Sequence, residues 1–162
     1  MKLKLLFAFF ILISGMAAEG KFWSQVFDKT EYYKVMATGK TDDVNNELEL
    51  VKASSATEKE AYEGALLMRK AGLVAIPAEK LKHFKSGRIK LETAISKDNE
   101  NVEYRFLRLI IQEHAPKITK YSSDIEQDSK MIKSSYKNLS PVLQQAITDY
   151  SKKSKILHPE DF

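Results

Sequence analysis

Val102-Glu103-Tyr104-Arg105-Phe106-Leu107-Arg108-Leu109-Ile110-Ile111-Gln112-Glu113-His114 is the stretch on which the fold turns. Wound as a helix, its apolar side chains cover the whole circumference except a narrow polar seam holding Arg105, Arg108 and Gln112. A helix apolar nearly all round is central, so this segment is expected to form the core, with the seam as a candidate binding surface. Asp98-Asn99-Glu100-Asn101 ahead of it reads as a turn, and Pro116 behind it as a stop.

Outward from this segment, helical spacing extends from Phe22 to Leu157, and no sustained alternation of β-branched and polar residues calls for a strand. A first helix is expected over residues 21–37, ended by Gly39, and a second over 42–53. Thr57 and Glu60 have capping-box spacing for a third that stops at Gly72. Pro77 suits the first turn of a fourth, over 77–96. After the helix at 102–114, Ser123 with Glu126 repeats the capping box for a sixth, and Ser140-Pro141 opens a seventh. In the seventh, Val142, Leu143, Ala146, Ile147 and Tyr150 fill one arc, which is expected to close over the array. The fold class is therefore all-α, about seven antiparallel helices in a compact array.

The chain of 162 residues opens with Lys2 and Lys4, an apolar run from Leu5 to Ile13, and the small residues Gly15, Ala17 and Ala18. That pattern reads as a secretory signal peptide over 1–18, leaving 19–162 as a single helical domain. The run is shorter than the roughly 20 residues a bilayer needs. Losing Lys2 and Lys4 leaves 24 bases against 22 acids and a net charge of +2 in place of +4. With no cysteine, stability must come from helix packing, and the residue that tethers a bacterial lipoprotein is missing. The expected location is periplasmic or extracellular.

Catalytic motifs are sparse. His83, His114 and His158 lie far apart in sequence, and there is no Gly-x-Ser-x-Gly turn, no His-Glu-x-x-His and no glycine-rich phosphate loop. No metal or cofactor is expected. The one enzymatic alternative is a carboxylate-dependent hydrolase of an envelope polymer, using Glu103, Glu113 and His114. Glu113 falls inside the apolar arc with Phe106 and Leu109, and a buried carboxylate needs a partner. Arg88, in the arc of Leu81, Phe84, Leu91 and Ile95, is expected to supply it as a structural ion pair with Glu113 or Glu103.

Charge is segmented. Residues 19–63 carry −4, 64–91 carry +6, 92–128 carry −3 and 129–162 carry +3. On the positive segment, Lys82, Lys85 and Lys90 with His83 form a basic face suited to an anionic surface such as lipid head groups or polysaccharide, beside the plainer reading of a solvated helix face. Nucleic acid is not expected, because the bases are not interleaved with exposed aromatics. The aromatics Phe22, Trp23, Phe27, Tyr32 and Tyr33 are read as docking the first helix on the core, with insertion in a partner's groove or in a membrane interface as the alternatives.

Gly87, Leu91, Ala94 and Asn99 sit where tetratricopeptide-type repeats carry a small residue, a large apolar residue, alanine and the inter-repeat turn. The resemblance covers about residues 87–107 and implies a repeat-like helix-turn-helix centre. The extra loop from Leu73 to Pro77 departs from the pattern. Ala61-Tyr62-Glu63-Gly64-Ala65-Leu66-Leu67-Met68 and the stretch from Tyr104 to Glu113 are also similar to exported helical proteins of bacteria with an outer membrane, a resemblance that implies no activity. The function read from the sequence is a non-enzymatic exported module that binds a protein partner.

Overall fold

The computed structural model describes residues 27–162. Among them are seven α-helices and no strand: α1 Lys29–Thr38, α2 Thr41–Ala53, α3 Lys59–Leu73, α4 Pro77–Lys97, α5 Val102–His114, α6 Ile125–Ser135 and α7 Pro141–Ser151. Short 3-10 turns at Lys117–Thr119, Tyr136–Asn138 and Pro159–Asp161 complete them. The signal-peptide reading, with Phe22 and Trp23, lies outside the described residues.

Several boundaries follow from single residues. Asp28 is extended and its carboxylate accepts a hydrogen bond from the Glu31 amide, so α1 opens at Lys29; the expected start near residue 21 lies outside the described residues. Gly39 ends it in the left-handed region, at φ 63°, where its amide donates to the Val35 carbonyl. Pro77 and Pro141 stand in the first turns of α4 and α7. Asn101 caps α5 by accepting from the Tyr104 amide, and Ser140 caps α7 by accepting from that of Leu143. Neither expected capping box forms. Glu58 and Asp124 hold the cap positions of α3 and α6 without a side-chain bond, and the Ser123 hydroxyl donates to Asp124 instead.

α3 and α4 form the closest pair. Gly64 and Gly87 face one another at their crossing: a Cβ on Gly87 would lie 2.4 Å from the Gly64 carbonyl oxygen, and one on Gly64 would lie 2.7 Å from the Leu91 amide nitrogen. Two backbones meet here because neither residue has a side chain. α3 also packs against α2 and α5, and α5 against α6. The core runs through Tyr32, Val44, Val51, Tyr62, Leu66, Leu91, Phe106, Leu107, Leu109, Ile132, Ile147 and Leu157. On α5, nine residues from Glu103 to Gln112 are buried, as an all-round apolar helix requires.

α7 packs on α1 and sets Tyr150 edge-on to Phe106 at 5.7 Å, burying Leu143 and Ile147 while Val142 stays 37% exposed. α4 is divided. Burial is confined to Gly87, Leu91, Ala94 and Ile95, while the residues from Pro77 to Ser86 are exposed except for the half-buried His83 and Phe84.

Candidate functional site

The polar residues of α5 are the natural place to look for chemistry, and each is tied to a neighbouring helix. Glu103, in the first turn, is buried. Its Oε1 accepts from the Tyr33 hydroxyl at 2.8 Å and the Tyr62 hydroxyl at 2.7 Å, and its Oε2 from Lys29 Nζ at 3.0 Å. Lys29 also reaches Glu58 at 3.3 Å, and the Tyr32 hydroxyl donates to the Tyr62 carbonyl at 3.1 Å. Burial first, and then the charge of Glu103, push the Tyr33 and Tyr62 phenols far above their usual range. These hydroxyls stay protonated and act as donors that fasten α1 and α3 to α5.

In the middle of α5, the Arg108 guanidinium grips Asp128 of α6 with two bonds, Nε to Oδ2 at 2.7 Å and Nη2 to Oδ1 at 2.8 Å. Its Nη1 reaches Glu92 of α4 at 3.0 Å and Asp124 at 3.5 Å. Asp128 is fully buried and Arg108 is 4% exposed. Burial works against the arginine charge, but Asp128, Glu92 and Asp124 outweigh it and hold the guanidinium above its usual range. Arg105 donates through Nε and Nη2 to the Asn99 carbonyl, at 3.1 and 2.6 Å, and lies 3.5 Å from Asp128. Gln112 donates to Asp124 at 3.0 Å, with its Oε1 buried and unpartnered. The polar seam is therefore turned inward: Arg105, Arg108 and Gln112 are buried facing α6 and the turn before α5, where most of their polar atoms find partners.

At the end of α5, Glu113 accepts from the Tyr150 hydroxyl at 2.6 Å, the Ser154 hydroxyl at 2.7 Å and the Lys155 amide. Burial alone would raise this carboxyl, but the amide and the two hydroxyls overcome it and hold it below the ordinary carboxylate range. The expected Arg88–Glu113 pair does not form. Arg88 is exposed and lies over the Tyr121 ring, 4.7 Å from its centroid, because that flank of α4 faces the loop after α5. His114 is exposed, with Nδ1 3.0 Å from the Ile110 carbonyl oxygen. Glu103 and Glu113 are separated by ten residues of one helix, about 15 Å of rise, against the 5–10 Å that paired carboxylates need at a glycosidic bond. The structure does not bring the candidate acid pair together.

Of the basic face, Lys90 bridges to Glu63 at 3.2 Å, while Lys82 and Lys85 are exposed. Burial, then Lys70 and Lys82, push the His83 imidazole down. Among the described residues no group of three or more acids or histidines is placed to hold a metal ion, and no helix is long and apolar enough to cross a membrane.

The structure does contain an open groove of about 650 Å³ between α6 and the segment after α7. Ile125 and Ile156 give it apolar walls, Ser122, Ser123 and Ser129 give hydroxyls, and Lys130, Lys133 and Lys155 line it against one acid, Glu126. Lys133 is bonded to Asp161 at 2.9 Å, which leaves Lys130 and Lys155 facing outward. No sequence motif marks this groove, since its two walls are some thirty residues apart. Asp128 did leave a signal: it stands at i+3 from Ile125 and i−4 from Ile132, on the buried stripe of α6. Glu47 left none. It is 3% exposed with Oε1 unpartnered, and burial followed by the charges of Glu31 and Asp28 pushes its carboxyl up.

No protein-family model, curated protein or solved structure matches this chain significantly.

Proposed function

We propose that the protein is an exported, non-enzymatic helical module that binds a protein partner in the periplasm or outside the cell, and that it does so through the groove between α6 and the C-terminal segment. The groove carries the reading. It is open, apolar at Ile125 and Ile156, and edged by Lys130 and Lys155, a combination that suits an acidic segment with an apolar side chain or two. The carboxylates of α5 favour the same side of the question. Glu103, Glu113 and Asp128 have their oxygens engaged by hydroxyls, amides and cations that hold helices together, so none of the three is free to act as acid or base on a substrate. The pattern at 1–18, with no cysteine to lipidate, supports export as an untethered protein.

A photo-crosslinking residue at position 130 in the full chain, expressed in its host, tests the reading. One discrete protein adduct is expected, absent when the same residue is placed at Glu49 on α2 and lost when Lys155→Glu is added. Adducts of equal yield at both positions would overturn the groove as the site. The hydrolase alternative is checked on isolated cell envelope: release of soluble sugar or peptide by the wild type, but not by a stably folded Glu113→Gln protein, would overturn the non-enzymatic reading.

A further inference from the structure

The projecting half of α4 has a composition unlike the rest of the surface. Leu81 and Ile89 are 55% and 68% exposed, and Lys85 lies midway between them, one helical turn from each. Lys82 is exposed beside them. Ile76, at the turn leading into α4, is 55% exposed. Ile118, on the loop after α5, is 92% exposed. That loop is held against α4 by Tyr121, edge-on to Phe84 at 5.8 Å and under Arg88. The loop adds Lys117 and Lys120, both exposed. Between residues 64 and 91 the only acid is Glu79 against seven bases.

We propose that this face docks on an anionic lipid surface, with Leu81, Ile89 and Ile118 entering the head-group layer and Lys82 and Lys85 meeting lipid phosphates. Two features favour a lipid surface over an acidic protein. A helix that lies in a protein groove presents a continuous apolar stripe, whereas here Leu81 and Ile89 stand about two turns apart, with Lys85 between them. That alternation suits a flat interface: aliphatic tips enter it singly, and lysine stems lie along it with their amines among the phosphates. The surface is also convex, because the first turns of α4 are exposed nearly all round. This docking is independent of the groove at α6, which lies on other elements.

The test is co-sedimentation of the full chain with vesicles of phosphatidylcholine alone or with about one third phosphatidylglycerol, at low and high salt. Residues 1–26 are common to every form, so differences between variants report on α4. Each lysine near an anionic surface strengthens binding roughly fivefold, so Lys82→Gln with Lys85→Gln is expected to weaken it about thirtyfold. Lys137→Gln with Lys153→Gln, which changes net charge equally on exposed positions elsewhere, is expected to cost less than about threefold at the same ionic strength. Ile89→Ser is expected to weaken binding about tenfold on loss of one inserted aliphatic side chain. Thermal melting confirms that these surface variants fold. Equal binding to neutral vesicles, or equal loss in the two lysine pairs, overturns the proposal. So does a Lys82- and Lys85-dependent affinity for soluble polyglutamate without any for vesicles, which would assign the face to an acidic protein.

Discussion

Glu103 of α5 and Asp128 of α6 are both buried carboxylates, and they are satisfied in opposite ways. Asp128 has no exposure and relies on a charge: both of its oxygens are held by the guanidinium of Arg108, itself buried. Glu103 relies mainly on dipoles, with one oxygen held by two phenol hydroxyls and the other by Lys29, whose side chain is 35% exposed. Without Arg108, Asp128 keeps only Arg105 at 3.5 Å, a guanidinium already bonded to the Asn99 carbonyl, whereas Glu103 keeps its phenols and can admit water along the path Lys29 leaves. The middle of α5 is thus held chiefly by one buried pair and its first turn by a more forgiving set of contacts.

The largest expected effect tests that contrast. Arg108→Ala should cost about 3–5 kcal/mol, because Asp128 loses both of its close bonds and keeps only Arg105 at 3.5 Å, and exchanging Arg108 and Asp128 for apolar residues should restore most of it. Urea denaturation measures both forms. A loss under about 1 kcal/mol would mean that water reaches Asp128 and that the two ends of α5 are alike.

Gly87→Ala comes next and involves no charge. Its Cβ would meet the Gly64 carbonyl at 2.4 Å and the Met68 amide nitrogen at 2.9 Å, backbone atoms that cannot swing away, so α3 and α4 must separate at a cost of about 1–3 kcal/mol. Gly72→Ala, with no atom within 4 Å of the new methyl, should be neutral or stabilising by up to about 1 kcal/mol. Equal melting temperatures for the two variants would remove the close crossing from the account of the fold.

Acid extends the comparison to the last turn of α5. The folded-state pKa of Glu113 is depressed, so its contribution is present above its unfolded value, near 4.5, and is lost as pH falls through the folded value. Between pH 7 and pH 3, Glu113→Gln should therefore lose less stability than the wild type, although it starts lower. Parallel curves would show that Tyr150, Ser154 and the Lys155 amide do not favour the charged form.

Lys29→Ala should cost about 1 kcal/mol or less, several-fold below Arg108→Ala, because the lysine is partly in solvent. Arg88→Ala should likewise cost under about 1 kcal/mol, since an exposed contact over Tyr121 is all it removes. A loss near that of Arg108→Ala in either would reverse the ranking.

Much of this fold is legible along the chain, because it rests on local rules. Val102 to His114 reads as a central helix from its own circumference, and those are the bounds of α5. Gly39, Pro77, Asn101 and Ser140-Pro141 mark ends through backbone preferences that need no distant partner. Thr57–Glu60 and Ser123–Glu126 mislead, because a capping box is a spacing that many sequences carry and only the cap dihedrals realise.

What the sequence determined by itself was the all-helical class, the centrality of α5 and the concentration of positive charge on α4, since periodicity and composition are properties of a segment alone. Only the tertiary structure decided where the charges went. A seam of Arg105, Arg108 and Gln112 has the same spacing whether it faces water or another helix, and it took α6, carrying Asp128 twenty residues from Arg108, to turn it inward. Arg88 and Glu113 share the apolar arcs of their helices, but Tyr121 covers one and Tyr150 with Ser154 the other, so the pair never meets. The groove at Ile125 and Ile156 belongs to the same category: its walls come together because the segment after α7 folds back onto α6, where Asp161 pairs with Lys133, a long-range contact that no local pattern encodes.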